Sequence, residues 1–453
     1  MEGVNTYEIG SIVDPYWLSD TILHESTIGG FWTKFLRENY VTDMGFESVP
    51  LVGNVEKTKA TFSGAPIETF GEFEKGGLDE IAVPIKRRYR GLPRHGRSTL
   101  QGTGEGVDWL YRKVKLWNSK KAFAIPVEGS VDQQILRKQM ADAIEKEVRP
   151  AAAEWLRDYT EGAINWTILT GYSPELTTLR GEIQARDTGI INYSHPNIYV
   201  ATHGKVVHGT DSDTRPMGAG YEDNIVAAAN QAMAAGPSVA GLTTERLVAF
   251  RNDMMRTGIR PVQTAMGPMW CVALKDSAYT QLSLEMGDRK YRDTMIQSLP
   301  QDLKSNPFFG GAVAVYEHCI IYQNPLQFGI QLDGSGRVIQ HSGSTIGMPA
   351  YGPSGDWVGS HTIDATIDQS DLAVNIGFGA GFLTKAYGKK RMWFTGQKWD
   401  HDQNDELGMH WWCSYMRSDV TDPLNKLGYG VDAFAYHDAS ALLITCSPFL
   451  GGY

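Results

Sequence analysis

The stretch from Ser130 to Gly171 constrains this chain more than any other. Ser130 and Gln133 form a capping box at its start, and Ile135, Met140, Ile144 and Val148 follow at nearly helical spacing. Asp142 with Lys146 and Glu145 with Arg149 add i,i+4 pairs whose acid lies on the N-terminal side, the better orientation. Pro150 interrupts the pattern, because it has no N–H to give and its ring crowds the preceding turn. Beyond it, Trp155, Leu156, Tyr159, Ala163 and Trp166 carry the periodicity to Gly171. The spacing predicts a long helix kinked at Pro150, or two nearly collinear helices, with its apolar stripe in a core.

Upstream, Ile81, Val83 and Ile85 alternate in LDEIAVPI, a short strand that Pro84 confines to an edge or a strand end. In WLYRKVKLW, Leu110, Val114 and Leu116 share one face, while Trp109, Tyr111, Lys113, Lys115 and Trp117 share the other. Two strands joined by a long polar connector read as an extended hairpin. The connector carries Lys86, Arg87, Arg88, Arg90, Arg94 and Arg97 with no acid before Glu105. Such a run is either a solvated loop tip or a docking arm that meets an acidic surface on another subunit or a nucleic acid. The first seventy residues read as mixed and open.

From Ser173 to about Thr243 turn formers and three histidines dominate, apart from a short helix in IVAAANQAMAAG; the segment reads as loops inserted in a second lobe. LTTERLVAFRNDMMRTG predicts an amphipathic helix, MWCVAL a buried strand, and KDSAYTQLSLEM a helix starting near Asp276. AVAVYEHCIIY, residues 312–322, is long enough for one central strand, and DLAVNIGF, RMWFTG and ASALLITC are further strands. Helices gather in the middle and strands towards the end, which favours α+β over a doubly wound α/β fold.

With 453 residues the chain suits two or three lobes, and its 11% aromatic content excludes a disordered or fibrous class. A formal charge of −10 argues against a dedicated nucleic-acid reader. Cys271, Cys319, Cys413 and Cys446 lie far apart with no CxxC pair, so reduced thiols are expected. The start shows no leader pattern, and no apolar run approaches about 18 residues, so neither secretion nor a membrane span is expected.

Catalytic signatures are fragmentary. GxGxxG in a strand-to-helix context, GxxxxGK[ST], HExxH and GxSxG are all missing. Gly334-Ser335-Gly336 and His341-Ser342-Gly343-Ser344 read as turns. Asp400, His401, Asp402 and Asp405 crowd one segment, as a calcium or magnesium site would, but their spacing fits no EF-hand, and a solvated acidic loop is the simpler reading. His195, His203 and His208 match no zinc pattern. Trp411-Trp412 and the 12 tryptophans overall point to large contact surfaces before they point to sugars or bases. No catalytic residue, metal site or cofactor is assigned.

The order of parts carries more information: an open arm, a hairpin with a charged tip, a spine-like helix, a mixed lobe and returning strands. KGGLDEIAVPIKRRYRG, the Trp109 to Trp117 strand and VDQQILRKQMADAIEKEVRPAAAEWLRDYTEGAINWTILTG, in that order, resemble the podovirus-type coat family of tailed bacteriophages. GIRPVQTAMGPMWCVALKDSAYTQL, NPFFGGAVAVYEHCIIYQNP and DLAVNIGFGAGFLTKAYGKK resemble later parts of the same family, and together these segments span about half of the chain. Pro150 and residues 173–243 depart from the pattern.

The resemblance implies the shell fold shared by tailed phages and herpesviruses. Residues 1–72 are then an N-terminal arm and 73–129 an extended loop. Residues 130–175 with 373–453 form a peripheral domain with the spine helix, and 176–372 an axial domain with an insertion. It also implies a structural, non-enzymatic major capsid protein, assembled in the host cytoplasm into the virion. Its partners are identical subunits in pentamers and hexamers, scaffold, portal and decoration proteins, and weakly held double-stranded DNA, with no membrane. Lys86, Arg87, Arg88, Arg90, Arg94 and Arg97 become candidate inter-subunit contacts. The competing classes are a metal-dependent hydrolase using Asp400 to Asp405 and a carbohydrate-binding decoration or tail protein.

Overall fold

A computed structural model of the chain describes residues 5–7, 13–26, 28, 30–32, 66–70, 80–86, 109–115, 118–125, 141–170, 197–202, 205–208, 228, 232, 235–264, 267–285, 312–324, 329–332, 338–341, 372–387, 392–399, 404–418 and 439–447. Strand β1 (Asn5–Tyr7) precedes helix α1 (Pro15–Ser26). Asp14 starts that helix by accepting the Tyr16 N–H at 2.9 Å, and Pro15 supplies a preset φ. Strands β2 (Ile67–Phe70), β3 (Glu80–Lys86), β4 (Trp109–Lys115) and β5 (Asn118–Ile125) follow. β3 and β4 form the expected antiparallel ribbon, from Glu80 opposite Lys115 to Lys86 opposite Trp109. Pro84 is tolerated there because each strand of a two-stranded ribbon is an edge.

Residues 141–143 are helical, Ile144–Val148 form a π turn, and α2 (Arg149–Thr170) continues directly. Helical structure therefore runs through Pro150, and the irregularity is a wider turn just before it. The Arg149 N–H reaches back five residues to the Ile144 carbonyl, which gives the proline ring room against the preceding turn. The capping box at Ser130 lies outside the described residues.

β6 (Ile198–Thr202) and β7 (Lys205–His208) form a hairpin, which corrects the expectation of inserted loops in this region. Asn197-Ile198-Tyr199-Val200-Ala201 is buried, a strand missed among turn formers. Ala228, Ala232 and Ala235 are helical as expected. Then come α3 (Pro237–Ala240) and α4 (Thr244–Thr257). Thr243 caps α4 by accepting the Arg246 N–H, and Gly258 closes it in the left-handed conformation at φ 82°. β8 (Val262–Thr264), β9 (Gly267–Leu274) and α5 (Asp276–Glu285) complete this part.

Residues 312–322 are two strands, β10 (Ala312–Tyr316) and β11 (Cys319–Gln323), where one was expected. Glu317 and His318 both take positive φ, 45° and 64°, and make a two-residue turn. Arg251 of α4 clamps that turn: its guanidinium donates to the Glu317 carbonyl and lies 3.6 Å from the Glu317 carboxylate. β12 (Gly329–Leu332) and β13 (Val338–His341) pair only with each other among the described residues. The chain ends in β14 (Leu372–Phe378), β15 (Leu383–Tyr387), β16 (Trp393–Trp399), β17 (Asn404–Arg417) and β18 (Ser440–Cys446).

These strands make two large sheets. The eight-stranded one runs β10-β11-β9-β14-β18-β6-β7, with β8 added to β9. Its residues alternate between two buried faces. Met269, Cys271, Ala273, Val374, Ile376 and Phe378 point to one core, and Trp270, Val272, Leu274, Ala373, Ala441 and Leu443 to the other, with Leu247, Phe250 and Met254 of α4. The helix presses close: a Cβ on Gly377 would stand 2.4 Å from Met254 Sδ. Asn375, fully buried, accepts the Lys275 N–H at 3.2 Å and donates to Leu443 O and Thr445 Oγ1.

The six-stranded sheet is organised on β17. Its first half pairs with β16 on one side and β5 on the other, and its second half pairs with β15. β1 extends β16, and β2 lies parallel to β15. Asp405 is thus a strand residue opposite Lys398 and Ile125, which corrects the solvated-loop expectation at that position; Asp400, His401 and Asp402 lie outside the described residues. Helix α2 packs on β17 through Trp155, Tyr159 and Trp411. Trp32 joins the two layers. It is fully buried, its indole N–H donates to Asn165 of α2 at 2.8 Å, and its ring lies 5.4 Å from Phe378 and 5.5 Å from Phe382.

Candidate assembly interface

The β3–β4 ribbon is, like β12–β13, a sheet of two strands among the described residues, and α1 and α2 lie against each other. The ribbon has no third strand among the described residues, and β4 meets the rest of the molecule at β17. Lys86 stands at the end of β3, opposite Trp109, where the basic connector leaves the ribbon. Arg87, Arg88, Arg90, Arg94 and Arg97 lie outside the described residues.

Helix α1 packs its Leu18, Ser19 and Ile22 inward, and Ser19 Oγ accepts the Met392 N–H at 3.0 Å. Its outward residues include Tyr16, 59% exposed, and Trp17, 40% exposed; Ile28 follows at 51%. Arg149 of α2 lies over the Trp17 ring at 5.7 Å and 3.6 Å from Glu25, which fixes the two helices side by side. Exposed carboxylates on these elements are Asp14 just ahead of α1, Asp20 on α1, Asp142, Glu145 and Glu147 on the turns before α2, and Glu154 on α2 itself. Lys146 faces Asp142 at 3.6 Å and Arg157 faces Glu154 and Asp158, so the cations present are already engaged with neighbours. Exposed carboxylates and exposed rings are each suited to guanidinium groups, the first through paired hydrogen bonds and the second through their ring faces.

Reactive chemistry does not converge anywhere among the described residues. No group of three His, Cys, Asp or Glu side chains is placed to hold a metal. His208 sits in β7 opposite Tyr199, while His195 and His203 lie outside the described residues. No disulfide joins the four cysteines; burial pushes Cys319 up to about 12, with Arg251 pulling the other way, so it stays a protonated thiol. His410 is lowered, by burial and then by Lys120; Asp253 is raised by burial against the pull of Arg256; Lys275 is lowered by burial against Asp276. These groups lie on different elements. Glu68, raised to about 7 by burial, is the remaining perturbed carboxyl and went unnoticed in the sequence, since nothing around it in IETF signals burial.

No family model matches the sequence, and no curated protein matches it. Solved structures do. The capsid of Ralstonia phage GP4 superposes with a TM-score of 0.51 at 13% identity, over 90% of this chain and 96% of that one. The capsid of Helicobacter pylori bacteriophage KHP30 gives 0.47 at 11% identity, over 89% of this chain and 96% of that one. The capsid asymmetric unit of cyanophage Pam1 gives 0.43 at 13%, over 90% and 100%. The α+β fold expected from the order of the sequence segments is therefore the fold of this chain, and it is shared with a phage capsid subunit. No helix among the described residues is long and apolar enough to cross a membrane.

Proposed function

We propose that this chain is a major capsid protein, the structural subunit of an icosahedral virion shell around double-stranded DNA. The observation that carries this is the fold, shared over 90% of the chain with the Ralstonia phage GP4 capsid. The incomplete ribbon supports it, because an isolated two-stranded ribbon is marginal in water and gains stability by lying on a neighbour. Identical subunits meet in heterologous contacts that close into rings of five and six. The chain acts as a wall, not as an enzyme, in the virion, after assembly in the host cytoplasm with scaffold, portal and decoration proteins.

In this scheme residues 1–72 are the arm, 73–129 the extended loop, 130–175 with 373–453 the peripheral domain, and 176–372 the axial domain. The pairing of β14 with β9 and of β18 with β6 supports counting those two returning strands with the axial sheet. The loop's cations, from Lys86 to Arg97, dock on a neighbour's acidic groups, and the carboxylates and rings of α1 and α2 have the matching chemistry.

Negative-stain microscopy and sedimentation of the purified chain test the proposal: shells, sheets, tubes or five- and six-membered rings are expected, and a discrete small oligomer overturns it. Reversing Arg87, Arg88 and Arg90 together to Glu leaves a folded subunit that assembles poorly; normal shells from that variant remove the loop from the contact.

A further inference from the structure

β14 leaves the eight-stranded sheet at Phe378 and β15 enters the six-stranded sheet at Leu383, so residues 379–382 carry the chain from one sheet to the other. The passage is tight. A Cβ on Gly379 would stand 1.8 Å from the Arg260 carbonyl oxygen, which accepts the Ala380 N–H at 2.9 Å. Gly381 takes φ +65°, and a Cβ there would stand 2.8 Å from Glu68 Oε1. The Phe382 N–H donates to the Pro66 carbonyl at 2.9 Å. The connection between α4 and β8, the crossover and the start of β2 are therefore bound to one another, with one carboxyl among them.

That carboxyl belongs to Glu68, 8% exposed, on the β2–β15 face turned away from α2 and beside Thr384. The charged groups of the surrounding elements sort clearly. Arg260 acts on Glu68 from the α4–β8 connection. Lys385 of β15 lies on the opposite face, over the Tyr415 ring, and Arg417 of β17 lies on that same opposite face, donating to the Ile168 carbonyl at 2.6 Å. The crossover residues carry no titratable side chain.

We propose that Glu68 is the proton-binding element of a joint between the two sheets. Neutral, it seals the crossover against β2; ionised, it draws water into the joint and weakens the Ala380 and Phe382 backbone bonds. Burial raises its pKa to about 7 against the pull of Arg260, which sets the change at neutral pH and not in the acid range of an exposed Glu. This joint is a property of the single chain and does not rest on the shell assignment.

Hydrogen exchange on the full chain tests it, with rates corrected for the intrinsic pH dependence. Between about pH 5.5 and about pH 8.5, protection of peptides covering 66–70 and 379–384 should fall about tenfold in the wild type and stay flat in Glu68→Gln. Arg260→Gln should move the wild-type midpoint upward. A flat wild-type profile, or an undiminished fall in Glu68→Gln, overturns the proposal. If Glu68→Gln does not fold, Arg260→Gln decides: an upward midpoint supports the joint, and an unmoved or lowered one overturns it.

Discussion

The eight-stranded sheet and the β3–β4 ribbon follow opposite rules. All seven residues of β18 are buried, and both faces of its sheet are covered by apolar layers from the same chain. The ribbon pairs strand to strand, has no third strand among the described residues, and meets the body where β4 approaches β17. One region is finished by its own sequence; under the proposed function the other is finished by a neighbouring surface. On that reading a monomer's stability is concentrated in the first, and its capacity to associate in the second.

That division can be tested in order of expected effect. Trp32→Ala should cost about 3–5 kcal/mol in urea unfolding, because it removes a buried ring and orphans Asn165 where the layers meet. A loss under about 1 kcal/mol would show that the layers are held elsewhere.

The next effect is one of pH. Glu68 has a folded pKa of about 7 against 4.5, so the folded chain keeps a proton that the unfolded chain releases. Stability from this group is complete below the unfolded value and falls as pH rises through the window up to about 7, by at most about 3 kcal/mol. Unfolding titrations of Glu68→Gln should lack that fall.

Gly377→Ala, which drives a methyl against Met254 and Phe250, should cost about 1–3 kcal/mol by the same measurement. Thr243→Ala, which removes the α4 cap, should cost about 1 kcal/mol. The triple reversal at Arg87, Arg88 and Arg90 should change subunit stability by less than about 0.5 kcal/mol while impairing assembly; a large loss would mean the ribbon is part of the monomer's core.

Local rules made much of this fold legible. Thr243 and Gly258 bracket α4, and LAVNIGF and SALLITC are apolar runs that became central strands. The failures are equally specific. Glu317 and His318 carry no glycine to announce a left-handed turn, so a hairpin read as one strand. In β17, Leu407, Met409, Trp411, Cys413 and Tyr415 alternate with Gly408, His410, Trp412 and Ser414, a period of two that the acidic residues before it obscured. Trp32 and Asn165 lie 133 positions apart, and no local pattern joins Glu68 to Gly381. The described parts of the first seventy residues, among them β1, α1 and Trp32, are folded onto the body for the same long-range reason, where the sequence read as open. The basic connector was conspicuous in the sequence because charge needs no partner to be seen.

The π turn ahead of Pro150 has a consequence for how this chain tolerates change. Such a turn holds one residue more than an α turn, and one residue is about 100° of rotation about the helix axis. Winding the same residues as ordinary α-helix, with none removed, would swing every side chain upstream by about that angle relative to α2. Ile144, now fully buried, would leave its pocket. The extra residue works as a phase adjuster between two lengths of helix, and its reading frame is as constrained as any residue identity within it.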